Sequence, residues 1–356
     1  MNNATFSAAK DFAKIDSSLQ DSHSQSAQKL MPVLFIGHGS PMNAITKGAF
    51  SENLNALGER ITQEYGKPKA LLVISAHWIT REFALRAQDG AIPMIYDMYG
   101  FPRELYEVRY EARGARELAM SIKRRLGAKA RIDDSWGLDH GAWSVLLHLY
   151  PKADVPVIMA SAPVGQGMDE AYAIGRALAF LRAQGVCIVA SGNVVHNLRD
   201  FSDAPRDYAR RFDAFIKEAI LGDCVESNAE SSRADSGGVD SSGLRGAGDL
   251  QNLSDLQDSG NVMDSKDLPS GMRAILQSAK MEDFKRAVPT LEHFYPLILA
   301  LGAWHGDEWD ENLAKPATPA DTWHGSRNPT SHTKQAEVFN DEITLGSVSM
   351  TSYFLR

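Results

Sequence analysis

Short apolar runs that end at small residues constrain the fold of this chain more than any other feature. Such a run is too short for a typical helix. A strand that is apolar at nearly every position is buried on both faces, as in parallel sheets covered by helices. These runs predict buried strands at residues 32–36, 70–75, 155–161 and 186–190.

Amphipathic helical patterns separate and follow the apolar runs. Ile132 begins a further short strand, and residues 344–354 alternate like a closing strand. Repeated strand–helix–strand order favours one sheet whose crossover helices cover it. We therefore predict an α/β fold with a mainly parallel or mixed central sheet and helices on both faces. The predicted helices cover residues 112–126, 141–150, 168–184, 204–221 and 291–303.

Three polar segments interrupt this pattern. Residues 1–30 form a polar leader, and residues 222–270 are rich in Ser, Gly, Asp and Asn. A segment of that composition buries too little apolar area to offset its ordering entropy, so we predict a flexible insertion. A second polar insertion is expected at residues 305–340. The remainder, within residues 31–354, is predicted to be one domain.

Composition narrows the possible functions. The formal net charge of -8 argues against non-specific nucleic-acid binding, which needs a basic face. No apolar stretch is long enough for a membrane helix, and the first thirty residues contain no apolar signal core. The two cysteines, Cys187 and Cys224, have no metal-type spacing, which is typical of a reducing compartment. We expect a cytoplasmic protein whose metal ligands, if any, are nitrogen and oxygen atoms.

Three histidines follow small-residue breaks after separate predicted strands: His38, His77 and His196. Ligands of open α/β sheets bind at the carboxyl ends of the strands, and several imidazoles at one edge outline a transition-metal site. His293 begins an apolar helix and His140 follows Asp139. The pattern favours a metalloenzyme.

The other histidines carry no such pattern. A lone histidine beside apolar residues is more often a satisfied core residue than a ligand. His148 lies in the middle of a predicted helix and illustrates this case. The remaining ones fall in polar segments and have no predicted function: His23, His305, His324 and His332.

Five motifs around the first group of histidines occur in a characteristic order, with Tyr99-Gly100-Phe101-Pro102 between the second and the third. Together they resemble the class III extradiol ring-cleaving dioxygenases of the LigB type, in the DOPA 4,5-dioxygenase branch. The motifs are Gly37-His38-Gly39-Ser40, Ser75-Ala76-His77-Trp78, Asp139-His140-Gly141-Ala142-Trp143, Ser191-Gly192-Asn193-Val194-Val195-His196 and Glu292-His293-Phe294-Tyr295-Pro296.

The resemblance implies a single catalytic domain that opens a catechol ring, such as that of DOPA, with O2 to give a semialdehyde. It makes His38, His77 and His293 metal ligands, with Glu292 as the second choice for the third ligand. His196 corresponds to a position that is either a ligand or the acid/base, and His140 to a second catalytic histidine near the substrate. Fe(II) is the expected cofactor, and Zn(II) is an alternative occupant of the site.

Coordination numbers bear on the role of His196. An octahedral Fe(II) that binds both catechol oxygens and O2 has room for three protein ligands, so His196 should stand off the metal during turnover. Zn(II) prefers four ligands and could also bind His196.

Three alternatives stay open at this point. A tetrapyrrole metal chelatase also places a Gly-His-Gly-Ser-like histidine after a first strand, and a zinc hydrolase would use similar ligands. A protein of the same fold can instead act through protein partners with a degraded metal site. The segment from Tyr110 to Gly114 departs from the pattern of the family, which leaves the natural catechol open. The oligomeric state is also undetermined by the sequence.

Overall fold

The computed structural model of the chain describes residues 29–235, 268–306 and 334–356. The strands are β1 (Val33–Gly37), β2 (Ala70–Thr80), β3 (Phe83–Leu85), β4 (Ala130–Ile132), β5 (Val157–Pro163), β6 (Val186–Gly192), β7 (Ala336–Phe339), β8 (Ile343–Thr344), β9 (Val348–Ser349) and β10 (Ser352–Leu355). The helices are α1 (Ala49–Tyr65), α2 (Arg103–Tyr106), α3 (Arg116–Leu126), α4 (His140–Leu149), α5 (Met168–Leu178), α6 (Phe180–Ala183), α7 (Asp207–Asp235), α8 (Ser270–Gln277), α9 (Glu282–Ala287) and α10 (Tyr295–His305).

Eight strands form one mixed sheet in the order β4-β3-β5-β2-β6-β1-β10-β7, and β8 and β9 form a separate hairpin. The four central strands β5, β2, β6 and β1 are parallel to one another. The outer strand β10 runs antiparallel to β1, and β7 runs antiparallel to β10. The α/β fold predicted from the apolar runs is thereby confirmed.

Helices cover the sheet on both faces, and alternate residues of a central strand therefore pack in different cores. Val33 and Phe35 of β1 pack in the core that contains the buried sides of α3, α5, α7 and α10. Leu34 and Ile36 pack in the opposite core with α1 and α4. A strand with both faces buried must be apolar throughout, which explains the uninterrupted runs of the sequence.

Several element boundaries differ from those predicted. The helix predicted to end at residue 221 continues to Asp235, so residues 222–235 are helical and not part of a flexible insertion. The change to a polar composition after residue 221 therefore did not mark the end of the helix, and a glycine such as Gly222 is tolerated inside one. Residues 168–184 form two helices, which meet at Ala179.

The C-terminal region also differs. Residues 344–354 contain three short strands because Leu345 and Gly346 adopt positive φ angles of 52° and 77° and turn the chain between β8 and β9. Strand β7 lies inside the expected second insertion. The rest of the two insertions, residues 236–267 and 307–333, and residues 1–28 of the leader lie outside the described residues.

Over the described ranges, no helix combines the length and the apolar character that a bilayer crossing requires.

Candidate metal centre

Five histidines converge beyond the carboxyl ends of the central parallel strands. His38 directly follows β1, and His196 lies four residues after the end of β6. His140 is the first residue of α4, and His293 lies in the turn before α10. The prediction that His77 follows a strand is wrong: it lies inside β2, where the register with β5 shifts between Ser75 and Ile79. That irregularity replaces the expected strand end.

Three of the imidazoles form a nearly equilateral triangle. The ring centroids of His38 and His77 are 5.0 Å apart, those of His38 and His293 are 5.3 Å apart, and those of His77 and His293 are 5.0 Å apart. The other two histidines flank this triangle. His140 lies 3.9 Å from His77, and His196 lies 3.5 Å from His293, again between ring centroids.

The Nδ1 atom of each triangle histidine contacts an oxygen acceptor. The hydroxyl of Ser191 donates to the carbonyl oxygen of Gly141 (2.6 Å), so it accepts from Nδ1 of His38 (3.0 Å). Asp97 lies 3.1 Å from Nδ1 of His77. Nδ1 of His293 donates to Glu292 at 3.3 Å.

A proton on Nδ1 leaves the lone pair on Nε2. The Nε2 atoms of His38 and His77 face each other at 3.1 Å. Nε2 of His293 is buried, and no hydrogen bond from the described residues reaches it. Histidines whose Nδ1 is held by an oxygen acceptor and whose Nε2 is free are typical metal ligands. The donor set therefore fits a divalent transition metal.

The stacking of His196 on His293 limits what these two rings can share. Their planes differ by only 11° at a centroid distance of 3.5 Å. An imidazole nitrogen binds a metal in the plane of its ring, about 2.0–2.1 Å away. Because the two rings are stacked face to face, an ion in the plane of one ring lies out of the plane of the other. In this arrangement one ion cannot bind both rings well.

Two groups of candidate ligand atoms are nevertheless compact. Within each group the atoms lie within 4.8 Å of one another. The first group contains His38, His77 and His140, and the second contains His196, Glu292 and His293. Glu292 also accepts from the hydroxyl of Thr290 at 2.8 Å.

Carboxylates of Asp97 and Asp139 support the helix start at His140. Oδ1 of Asp97 accepts from the backbone N–H of His140 at 2.9 Å. Nδ1 of His140 lies 3.0 Å from the same oxygen, off the ideal hydrogen-bond direction. Asp139 caps α4 by accepting from the N–H of Ala142, and it also accepts from the hydroxyl of Ser75 at 2.7 Å.

Burial controls the protonation of most of these groups. Burial lowers the pKa of His38 and His293 well below the ordinary value, and the charges of neighbouring histidines lower it further. Burial also lowers the pKa of His196 to about 4. For His77 burial lowers the pKa, but the hydrogen bond to Asp97 and the charge of Asp139 outweigh it, so the pKa is raised. Burial raises the pKa of Asp97, but His140 and His77 outweigh it and hold that pKa far below the usual range.

Backbone contacts hold the loops of the site together. Gly192 ends β6, and a Cβ there would lie 2.2 Å from the carbonyl oxygen of His293. The backbone N–H of Asn193 donates to that same oxygen at 2.9 Å, and its side chain donates to the carbonyl oxygen of Ser349. The strand–turn after β6 therefore fixes the position of the turn that carries His293.

The sequence did not identify three supporting residues: Asp97, Ser191 and Asp139 as a hydrogen-bond acceptor. Asp97 lies in the long connection between β3 and α2, which has no helical or strand pattern. The position of Asp139 before an apolar helix is an N-cap signal and could have been recognised. Ser191 directly follows the predicted strand at residues 186–190, where the sequence shows it only as part of the small-residue break before His196.

Two histidines outside the cluster have other surroundings. Nε2 of His148 contacts the carbonyl oxygen of Asn43 at 2.8 Å. The prediction that His305 lies in a polar segment is wrong, because it is the buried last residue of α10 and contacts the hydroxyl of Tyr172. The sequence changes from apolar to polar near His305, so the predicted helix ended two residues too early, at residue 303.

Comparisons with known proteins match most of this chain. The family model described as the catalytic LigB subunit of aromatic ring-opening dioxygenase matches residues 32–234. A 4,5-DOPA dioxygenase extradiol from Escherichia coli (strain K12) is 32% identical over 284 residues, 78% of this chain and 87% of the relative. The protein of that name from Beta vulgaris is 37% identical over 286 residues, 78% of this chain and 88% of the relative.

A solved structure is similar over nearly its whole length. It is the crystal structure of the uncharacterized protein JW3007 from Escherichia coli K12, with a TM-score of 0.61 and 26% sequence identity. The similarity covers 91% of this chain and 99% of that chain.

Proposed function

Because the chain belongs to the LigB family of aromatic ring-opening dioxygenases, and is an extradiol ring-cleaving dioxygenase, we propose that it uses non-haem Fe(II) to open the ring of a catechol such as DOPA with O2. The product would be an open-chain semialdehyde. The family favours this function over the chelatase, hydrolase and partner-binding alternatives.

One observation supports the proposal most strongly. The triangle of His38, His77 and His293 presents imidazoles whose Nδ1 atoms contact oxygen acceptors. We assign these three residues as the metal ligands, with Glu292 holding Nδ1 of His293 instead of replacing it. Three ligands leave half of an octahedral shell for substrates. When bound there, Fe(II) supplies the electron transfer between the catechol and O2.

His196 is assigned as the base that accepts a catechol proton. Its ring lies parallel to His293 and therefore out of the direction in which a shared ion would bind. Burial lowers its pKa to about 4, which leaves the imidazole neutral at pH 7 with a lone pair for a proton but opposes its protonation. The carboxylate of Glu292 lies close enough to favour the resulting charge.

His140 is assigned as a second acid/base group near the substrate. It lies against His77, whereas His196 lies against His293. The two flanking imidazoles can thus act on different oxygens of the substrate. In the overall reaction one carbon–carbon bond next to the diol breaks, and both atoms of O2 enter the product.

Other features of the proposal concern the whole chain. We propose that residues 31–354 form one catalytic domain around this site. A cytoplasmic location remains a prediction from the cysteine content. Zn(II) is proposed to bind the same three histidines without supporting turnover, because it has no accessible redox change.

The proposal is tested by oxygen consumption. The protein is reconstituted with Fe(II) without air and then mixed with DOPA and a small panel of catechols in aerated buffer. We expect one O2 consumed per catechol together with a coloured ring-fission product. Zn(II)-loaded protein and the His77→Ala variant are the controls, and both should be inactive. Absence of oxygen uptake by protein that holds one Fe(II) per chain would refute the proposed function.

A further inference from the structure

We propose that Asp97 is a positioning residue that fixes the metal ligand His77 and the acid/base His140 at once. The inference rests on the proposed function for the roles of the two histidines. It adds a single carboxylate on which both metal binding and proton transfer depend.

The contacts of Asp97 use both of its carboxylate oxygens. Oδ2 lies 3.1 Å from Nδ1 of His77. Oδ1 accepts from the backbone N–H of His140 at 2.9 Å and lies 3.0 Å from Nδ1 of the same residue. His77 lies on β2 and His140 begins α4, so one side chain from a third segment connects a strand to a helix.

The segment that carries Asp97 is itself tied to the start of α4. The backbone N–H of Ile95 donates to the carbonyl oxygen of Leu138 at 2.6 Å. The indole N–H of Trp143 donates to the carbonyl oxygen of Ile95 at 3.0 Å. Asp97 is only 14% exposed at its side chain. These contacts hold the carboxylate in place before any ligand binds.

A carboxylate is required because its two oxygens accept from Nδ1 of His77 and from the backbone N–H of His140. An ionised carboxylate only accepts hydrogen bonds, so it selects the tautomer with the proton on Nδ1 and the lone pair on Nε2. An asparagine would keep one oxygen for the N–H of His140 and direct its amide N–H at Nδ1 of His77. The His77 ring would then lose the contact or move its proton to Nε2, which blocks metal binding.

The two histidines are also in direct contact. Their ring centroids are 3.9 Å apart, and the ring planes differ by 51°. A rotation of the His77 ring would therefore displace His140. The effect of losing Asp97 should appear in both metal affinity and turnover at saturating metal.

The test compares Asp97→Asn with the wild-type protein by Zn(II) competition against a chelator, which needs no activity. We expect Zn(II) affinity to fall about 10–100-fold, the usual cost of losing a partner of a ligand histidine. Histidine tautomers in the metal-free proteins are read by 15N NMR, and a signal of the Nδ1–H form should be lost in the variant. Asp97→Glu keeps the charge and should recover part of the affinity.

The matched control is Asp89→Asn in the same connection. Asp89 accepts from the backbone N–H of Arg116 and does not contact the histidines described here. It should leave Zn(II) affinity within about twofold of wild type, since a removed surface carboxylate away from a site has little effect.

In Fe(II)-saturated protein, Asp97→Asn should also lower kcat with a catechol.

The outcomes separate the two proposals. Unchanged Zn(II) affinity and unchanged tautomers in Asp97→Asn would overturn the positioning role, even if the wild-type enzyme cleaves catechols. Equal loss of Zn(II) affinity in Asp97→Asn and Asp89→Asn would also overturn the positioning role. A general disturbance of the connection between β3 and α2 would then explain the loss. A third outcome is that the wild-type protein cleaves no catechol, while Zn(II) affinity falls in Asp97→Asn and not in Asp89→Asn. The ring-cleavage function would then be refuted, and the positioning of His77 would be supported.

Discussion

At the scale of single residues, His196 lies parallel to His293. This stacking is the reason why we assign proton transfer and metal binding to different histidines. A base must reach the catechol proton, whereas a ligand must point its lone pair at the ion. The lone pairs of two stacked rings lie in separate parallel planes, so both rings cannot bind the same ion. We therefore propose that the position after β6 provides a base beside the metal ligands.

Replacement of His196 by Asn should leave metal binding nearly intact and abolish most turnover. We expect Zn(II) affinity within about threefold of wild type and a kcat lower by about 10²–10⁴-fold, the usual contribution of a general base. Zn(II) competition and oxygen uptake measure the two effects.

His148→Asn is the control for this change, because His148 contacts a backbone carbonyl outside the cluster. It should alter neither measurement by more than a few fold. Loss of metal by the His196 variant to the same extent as by His77→Ala would show that His196 is a ligand.

The sequence predicted the residues of the site unequally. The strand-end pattern selected His38, His77 and His196, although His77 lies inside β2, and the motifs assigned roles to His140 and His293. Asp97 could not be recognised from the sequence. It lies in a connection that has no helical or strand periodicity, and its role depends on the contacts of this connection with α4. Ser191 has the same difficulty: its acceptor role exists only because β6 lies beside β1.

At the scale of elements, the end of β6 and the turn before α10 act as one unit. The carbonyl oxygen of His293 lies where a side chain at Gly192 would have to be. Only a glycine allows this close approach.

The substitution Gly192→Ala should therefore move His293 away from the other ligands. A Cβ 2.2 Å from a carbonyl oxygen cannot be accommodated without a backbone shift. We expect at least a tenfold loss of Zn(II) affinity and a decrease of about 1–3 kcal/mol in the free energy of unfolding, as for other overpacked sites.

Gly48→Ala is the matched control, since a Cβ at Gly48 meets no atom within 4 Å. Chelator competition and urea unfolding compare the two variants. Equal Zn(II) affinity in both would refute the coupling between β6 and the turn of His293.

Periodicity predicted the existence of most elements but not their limits. The composition becomes polar after residue 221, yet α7 continues to Asp235, since a polar composition does not exclude a helix. The irregularity of β2 at His77 depends on its pairing with β5, which a single strand sequence does not contain.

At the scale of the whole molecule, the fold buries several histidines in their neutral form. Burial lowers the pKa of His38, His293 and His305 well below the ordinary value, and that of His196 to about 4. His77 is the exception, with a raised pKa. Burial is thus the main cause of a pH-dependent stability.

The metal-free protein should lose stability as the pH falls below about 6.5. Between the lowered pKa of a folded histidine and 6.5, the unfolded state binds more protons, so acid favours unfolding. Each such group contributes up to about 1.4 kcal/mol per pH unit in that window. His77 acts in the opposite direction, because its raised pKa adds stability at low pH that is lost as the pH rises, but the four lowered groups outweigh it.

Urea unfolding of chelator-treated protein at pH 7.5 and pH 5.5 measures this effect. The unfolding midpoint should be lower at pH 5.5, and His196→Asn should reduce the difference. A midpoint that is equal or higher at pH 5.5 would contradict the burial of these histidines as neutral groups.

The class of fold followed from the sequence because strands buried on both faces must be apolar at nearly every position. The order of the strands did not, since it depends on which runs pair in three dimensions. β10 lies beside β1 although they are at opposite ends of the described chain.

We propose that His38, His77 and His293 hold one metal ion while His196 stays off it. Anomalous diffraction from crystals of Fe(II)-loaded protein, grown without air, tests this most directly. We expect one peak within bonding distance, about 2.0–2.2 Å, of Nε2 in each of the three histidines and farther from His196. A peak bonded to His196 and Glu292, or to His140 in place of His293, would contradict the account.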